Sequence, residues 1–246
     1  MEESKSGTVR AVDRALDILL CFTDTTDLGL TEIAEKTGLH KSTVFRLLAS
    51  LEAKGFVTRD SSTEKYKLGF RIWELSVNLS QGDDPATILL PEMERLRDIL
   101  GETISLYIRD GSERIRIQAV QSKHSIRRVA PIGARLPLYV GASSKVLIAF
   151  ADMNTQENMI NDWKEFIDIS AYKDQMAGIR KVGYATSVEE REPGVAAVSA
   201  PVFNRSHQLV AALSVSGPLN RLTLENMKDH AGLIIESANR MGNMLR

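Results

Sequence analysis

A lysine, two hydroxyls and an arginine open one helical segment: Lys41, Ser42, Thr43 and Arg46, preceded by His40. Short hydroxyl side chains and long cations in a first helical turn suit hydrogen bonding to base edges and phosphates. An α-helix fits the DNA major groove and contacts bases mainly through its N-terminal residues. Further on, Arg59, Lys65 and Lys67 flank the polar run Asp60-Ser61-Ser62-Thr63-Glu64, where cations on two short strands would meet phosphate oxygens. A second constellation stands near the C-terminus. Ser214 and Ser216, two apart on a candidate strand, point to the same side, so their hydroxyls can converge on one ligand.

These side chains need elements to hold them. Thr31 to Lys36 places Ile33 and Ala34 inward with charges opposite, one short amphipathic helix. Gly38 stands where a helix C-terminus needs a residue tolerating positive φ, and Leu39 can plug the corner between two helices. The second helix, about Lys41 to Lys54, repeats Val44, Leu47, Leu48 and Leu51 at the spacing of one buried stripe. After Gly55, Phe56 to Arg59 and Lys65 to Leu68 read as two strands around the polar turn, a β-wing. Ahead of them Val9 to Phe22 carries Val12, Ala15, Leu16, Leu19 and Leu20 at helical spacing, a first helix expected to pack on the other two. Only the reading face is basic: His40 to Arg71 holds seven cations against three acids, whereas Met1 to Leu39 holds four against eight. Modest non-specific affinity for nucleic acid is the expectation.

With 246 residues, 43% hydrophobic and 26% charged, the chain reads as an ordinary soluble globular protein with room for two domains. A net charge of −1 excludes a polycation that coats nucleic acid indiscriminately. The single cysteine, Cys21, cannot form an internal disulfide; in the apolar run Ile18 to Phe22 it reads as a buried thiol of a cytoplasmic protein, with redox sensing the other option. The N-terminal residues lack the apolar region of a signal peptide, and no run approaches the roughly 18 apolar residues of a membrane span. Enzyme signatures are missing as well: G-x-S-x-G, H-E-x-x-H, C-x-x-C, the Walker lysine loop and G-x-G-x-x-G do not occur. His40, His124, His207 and His230 are scattered and none forms a ligand pair with Cys21, so no metal or cofactor is expected.

After the wing, Phe70 to Leu79 carries Phe70, Trp73, Leu75, Val77 and Leu79, a helix expected to pack as well as connect. Asp84 before Pro85 is an N-cap followed by a proline at the first helical position. The expected division is a disordered tail over 1–8, a winged helix-turn-helix domain over 9–69, a linker helix and loop over 70–84, and a second domain over 85–246. In that domain Ala86 to Leu100 reads as one helix with Ile88, Leu89, Met93, Leu96, Ile99 and Leu100 on its stripe. Thr103 to Arg109 and Arg114 to Val120 alternate around Asp110-Gly111, an antiparallel hairpin, and Ile126 to Ile132 is a third strand candidate. Gly141 to Lys145 introduces a helix over Val146 to Ala151, and Met153 to Ile167 and Tyr172 to Val182 supply further helices. Gly194 to Phe203 and Leu209 to Ser216 are small-residue strands, and Thr223 to Leu245 is a final helix. Helices flanking a mainly antiparallel sheet give an α+β fold.

The stretch GLHKSTVFRLLASLEAKGFVTRD, followed by a YKLG segment, resembles the IclR family of bacterial transcription regulators, and the resemblance continues through the C-terminal half. It implies a GAF-like effector-binding fold for the second domain, a first helix that also helps to pair two DNA-binding domains, and a homodimer or homotetramer. The family's small-residue segment is matched by Gly141-Ala142-Ser143-Ser144-Lys145, with Ser144 in place of the usual glycine. Gly183-Tyr184, Glu189-Glu190, Gly194 and Ser214-Val215-Ser216-Gly217-Pro218 match as well. The implied effector site comprises Leu138, Gly141, Ala142, Ser143, Ser144, Ser187, Glu189, Val195, Ala197, Ser214 and Ser216. Where relatives that bind small oxo acids place an acidic residue and a cysteine, this chain has Ser187 and Ala197, which leaves the effector open.

Physically, small residues at a helix N-terminus leave backbone N–H groups and a dipole that favour an anion; simple capping by Ser143 is the other reading, and both can hold together. Val195, Ala197 and Ser199 share a face of their strand, so a pocket floored by small apolar residues and rimmed by hydroxyls would suit a small organic acid or phenol. Arg109, Arg114, Arg116, Arg127 and Arg128 are further candidates for meeting an anion, although alternating cations on a strand more often form a solvated face. Arg128, close to Val129 where family pockets have a contributing strand, is favoured among them. The expected function is a cytoplasmic, non-enzymatic transcriptional regulator whose partners are double-stranded operator DNA, a small-molecule effector and itself, with no membrane. Its dimers would place two recognition helices in successive major grooves of a pseudo-palindromic operator. The alternative is a small-molecule-binding protein whose C-terminal domain is non-regulatory or enzymatic.

Overall fold

The computed structural model describes residues 8–79, 84–128 and 131–245, and the chain divides into two units, Met1–Gly82 and Asp83–Arg246. The expected tail, apart from Thr8, lies outside the described residues, as do positions 80–83 and Val129. The first unit runs α1 (Arg10–Leu20), α2 (Leu30–Thr37), α3 (Lys41–Ala53), β1 (Val57–Arg59), β2 (Tyr66–Leu68) and α4 (Phe70–Leu79). Gly38 ends α2 at φ 67°, the left-handed conformation that a side chain would resist, and so turns the chain into α3. The strands pair antiparallel, with Leu28 bridging to Tyr66. Ile18, Ile33, Val44, Leu48, Val57 and Tyr66 close one small core.

Two helices of this unit differ from expectation. On α1 only Ile18 is buried, while Val12, Leu16 and Leu20 are exposed. The unit's core takes Ile18, Leu19 and the following Phe22, so of the predicted stripe Val12, Leu16 and Leu20 look outward instead. On α4, Phe70, Trp73, Leu75 and Val77 are all exposed, and Phe70 stacks on Trp73 at 4.9 Å. Cys21 is half-buried, with its thiol donating to the Asp17 carbonyl and pushed up in pKa by burial.

The second unit is built on a six-stranded antiparallel sheet in the order β5-β4-β3-β8-β7-β6. Its strands are β3 (Thr103–Asp110), β4 (Glu113–Val120), β5 (Arg135–Pro137), β6 (Ala185–Val188), β7 (Val195–Phe203) and β8 (Leu209–Pro218). The helices are α5 (Pro85–Ile88), α6 (Leu90–Leu100), α7 (Ala142–Ala149), α8 (Met153–Asp162), α9 (Ile169–Val182) and α10 (Leu224–Met244). Alternation sorts the side chains between two layers. Ile104, Leu106, Val198, Leu213 and Val215 meet Met93, Leu96, Met227 and Ile234 on one face, while Tyr107 and Ala212 meet Val146, Ile148 and Met176 on the other.

Local reasons account for the boundaries that moved. The single helix expected over 86–100 is two, because Pro91 cannot donate within a continuous helix and instead sits in the first turn of α6. Ile99, placed on its buried stripe, is exposed. No strand forms at the described residues of 126–132: the Ile126 carbonyl accepts from Arg221 at 2.9 Å and the Arg128 carbonyl from Thr103 Oγ1 at 2.9 Å, so side chains take the place of a ladder. The strand beside β4 is Arg135–Pro137. Edge strand β6 was not anticipated. Helix α7 starts at Ala142, its N-cap is Gly141 at φ 97° and no side chain caps it, so Ser143 is not the cap.

An ion cluster around buried Glu92 ties α6 to α10. Glu92 accepts from Arg95 at 2.8 Å and from Arg240 at 2.9–3.0 Å, and Ser237 joins both arginines. Desolvation pushes the Glu92 carboxyl up, but the hydrogen bonds from Arg95, Arg240 and Ser237 outweigh it and hold the pKa down at about 2. A depressed carboxylate contributes stability that is whole above the unfolded value of about 4.5 and is lost as pH falls toward 2. Urea midpoints should therefore fall more steeply between pH 5 and pH 3 in the native protein than in Glu92→Gln; parallel curves would remove Glu92 from the acid limb.

Candidate functional site

The first candidate site is the exposed start of α3. His40 is its N-cap residue, but no side chain caps the helix and no acid lies in its first turn. Uncapped N–H groups and the positive dipole end therefore remain for an outside acceptor, the condition for phosphate binding. Lys41, Ser42 and Arg46 are exposed, Thr43 half-buried, and Val44 and Leu48 anchor the opposite face in the core. Among the described residues neither Lys41 nor Arg46 has a salt-bridge partner. The wing cations differ. Arg59 pairs with Glu64, Lys65 with Asp27 at 2.8 Å and Lys67 with Asp60 at 3.2 Å. Asp60 also accepts from the Ser62 hydroxyl at 2.6 Å and the Ser62 and Thr63 amides, an Asx-type turn that shapes the wing and holds its carboxyl far below the usual range.

The second is a cavity of about 60 Å³ in the other unit, against the sheet face that carries α7. Of the sequence-predicted residues, Gly141, Ala142, Ser143, Ser187, Val195, Ala197, Ser214, Ser216 and Arg128 line it. The register explains the convergence: Ala197 sits opposite both Ser187 on β6 and Ser216 on β8, and Ser199 opposite Ser214. The other three predicted residues do not line it. Leu138 belongs to the core under α7. Buried Ser144 is engaged by Arg114 and donates to the Pro137 carbonyl at 3.1 Å. Glu189, at φ 53°, is exposed and accepts from the Gly194 amide at 2.7 Å, holding a turn. Its neighbour Glu190 is the one that reaches α7, accepting from the Gly141 amide at 3.1 Å and pairing with buried Lys145.

Tyr107, Arg191, Ala196 and Glu192, not singled out from the sequence, also line the cavity, as do Arg114 and Arg116, two of the arginines named as candidates for meeting an anion. The expectation of a solvated arginine face on β4 is overturned. Arg114 is 4% exposed, because residues 137–144 pass over it, and Arg116, held against Tyr107, is 1% exposed. Arg109 and Arg127 are exposed as expected. Arg114 donates to the Pro137 and Val140 carbonyls and to Ser144; Arg116 donates from Nε to the Tyr107 hydroxyl at 3.0 Å and again from Nη2. Both guanidinium carbons lie over the Tyr107 ring, 5.5 and 5.1 Å from its centre. Arg128 and Arg191 both pair with Glu192 at the rim.

What the cavity lacks is as informative as its lining. Arg114 Nε, Arg116 Nη1 and Ser216 Oγ are buried without a hydrogen-bond partner among the described residues, and neither buried arginine has a carboxylate within salt-bridge distance. Unsatisfied buried donors carry a full desolvation cost, which a bound acceptor would relieve. Desolvation, reinforced by Arg191 and Arg116, brings the Arg114 pKa down to about 10, and burial beside Glu190 pushes Tyr172 up. No group of three or more His, Cys, Asp or Glu among the described residues could hold a metal ion. No helix among them is long and apolar enough to cross a membrane.

Comparison with known proteins places both units in one family. Residues 81–243 match the family described as bacterial transcriptional regulator IclR C-terminal, and residues 11–61 match the IclR helix-turn-helix domain. The HTH-type transcriptional regulator BhcR of Paracoccus denitrificans is 31% identical over 243 residues, covering 96% of this chain and 87% of its own. The crystal structure of an IclR transcriptional regulator from Alicyclobacillus acidocaldarius superposes with a TM-score of 0.79 at 26% identity, covering 96% of this chain and 99% of that one. An IclR homolog from Microbacterium hydrocarbonoxydans complexed with 4-hydroxybenzoate shares the fold, with a TM-score of 0.82 at 22% identity and coverage of 96% and 99%. With an IclR helix-turn-helix followed by an IclR C-terminal domain, this chain belongs to the IclR family of bacterial transcriptional regulators.

Proposed function

We propose that the chain is a sequence-specific, effector-controlled regulator that acts on a pseudo-palindromic operator as a homo-oligomer, is cytoplasmic and catalyses no reaction. The observation that carries this reading is the pairing, in one chain, of an uncapped helix start, whose Lys41 and Arg46 have no salt-bridge partner among the described residues, with a cavity whose buried donors await an acceptor. His40, Lys41, Ser42, Thr43 and Arg46 read the major groove, and Arg59, Lys65 and Lys67 meet phosphates after leaving their carboxylates. The outward apolar side chains of α1 and α4, Leu16, Leu20, Phe70 and Trp73 among them, are the surface a second copy would cover. The ligand is a small organic acid, a class to which the 4-hydroxybenzoate of the structural relative also belongs.

A gel-shift on the DNA upstream of the chain's own coding sequence, titrated with organic acids, tests this reading. Arg46→Ala should weaken the specific complex by about 1–3 kcal/mol, roughly 5- to 150-fold, if Arg46 reads a base. Unchanged binding would reject that role. Stoichiometry from the same gels checks the assembly, since one chain per operator would overturn the oligomer.

A further inference from the structure

The lining of the cavity selects among acids. It carries four arginines, Arg114, Arg116, Arg128 and Arg191, against the single carboxylate of Glu192. Glu192 is committed to Arg128 and Arg191, and Glu190 beside the cavity is committed to Lys145. Two positive charges, on Arg114 and Arg116, therefore stay buried without a counter-ion among the described residues. They stand two residues apart on the same face of β4 and share one tyrosine ring, so their repulsion adds to the desolvation each already bears.

We propose that the ligand of this cavity is a compact dicarboxylate of two to four carbons, with its charges matched to Arg114 and Arg116 and its oxygens to Arg116 Nη1 and the Ser216 hydroxyl. The proposal deepens the effector reading above and rests on it. A neutral phenol or sugar would leave both guanidinium charges uncompensated, and a monocarboxylate would leave one. Spacing points to a short chain: both guanidinium carbons lie within 5.5 Å of one ring centre, so two carboxylates that meet them need only a short spacer between them. The planar forks of the arginines suit carboxylate oxygens, which they can meet two at a time.

The test is isothermal titration of the full-length protein with oxalate, malonate and succinate. The comparison set is acetate, pyruvate, 4-hydroxybenzoate, neutral malonamide and inorganic phosphate, and each compound is also added to the promoter gel-shift. At least one dicarboxylate should bind tenfold or more tighter than every monocarboxylate and alter the DNA complex. Arg114→Gln and Arg116→Gln should each bring that affinity down to the monocarboxylate level, with thermal unfolding confirming the fold; Ser216→Ala, a smaller change, should weaken it severalfold. A monocarboxylate, phenol or amide that binds as tightly and shifts the DNA complex overturns the dicarboxylate and leaves the effector reading standing. Equally tight phosphate overturns the carboxylate assignment. If no compound changes either readout, both the class and the effector site fall.

Discussion

Arg116→Met, made together with Tyr107→Phe, is expected to melt at a higher temperature than the native protein without ligand and to respond to malonate no more strongly than to a monocarboxylate. Arg116 is 1% exposed, its Nη1 has no partner, and its other donors are spent on the Tyr107 hydroxyl. A guanidinium held this way bears a desolvation cost that no local carboxylate offsets, and exchanging buried charge for apolar side chains of similar volume is commonly neutral or stabilising by about 1–4 kcal/mol. Tyr107→Phe belongs in the same variant, because a hydroxyl stripped of its donor would add a cost of its own. At about 2–4 °C per kcal/mol for a chain of this size, the gain reads as an increase of several degrees. Scanning fluorimetry without ligand, with malonate and with acetate measures both halves. A variant that melts lower would show that Arg116 supports the fold, and one that still prefers malonate to acetate would show that it does not meet the ligand.

Gly242→Ala should cost the second unit its stability while leaving the first folded. Gly242 lies in the last turn of α10, where an added Cβ would come 1.9 Å from the Phe203 carbonyl oxygen of β7. On helix propensity alone alanine would stabilise by about 1 kcal/mol. Here the obstacle is backbone, which cannot swing aside as a side chain can, so α10 must lift off the edge of the core that contains Met241, Leu245 and Val202. Overpacking of this kind costs about 1–3 kcal/mol, and the rigid neighbour puts the site at the upper end, for a net loss of about 2 kcal/mol. Urea unfolding followed by Trp163, which is buried under α7, gives the midpoint; an unchanged or raised midpoint would mean that propensity wins.

What could be read from the sequence tracks how locally it is encoded. The path from α2 to the wing depends on the 3.6-residue period of Val44, Leu47, Leu48 and Leu51 and on Gly38 at its turn, all contained within a few residues. Ser214 and Ser216 share the cavity because strand alternation is equally local, while Ala197 joins them through the register between β7 and β8. Arg114 and Arg116 were visible as alternating cations, but whether a strand face meets water depends on what crosses it. Here that is the segment 137–144, which contacts β4 from more than twenty residues away. The same limit hid Glu190 behind Glu189, since only the turn after β6 decides which of two adjacent glutamates reaches α7. On α1, a period that announces an apolar stripe does not say whether the stripe meets the same chain.

The ion pairs of the wing bear on how such a protein searches a chromosome. Arg59, Lys65 and Lys67 are each neutralised at home by Glu64, Asp27 and Asp60. Engaging a phosphate there exchanges one carboxylate for another anion, so contact with arbitrary duplex yields little net attraction and few released counterions. On the proposed reading, the hold on any random stretch would stay brief, and residence would lengthen only where α3 finds base edges it can match.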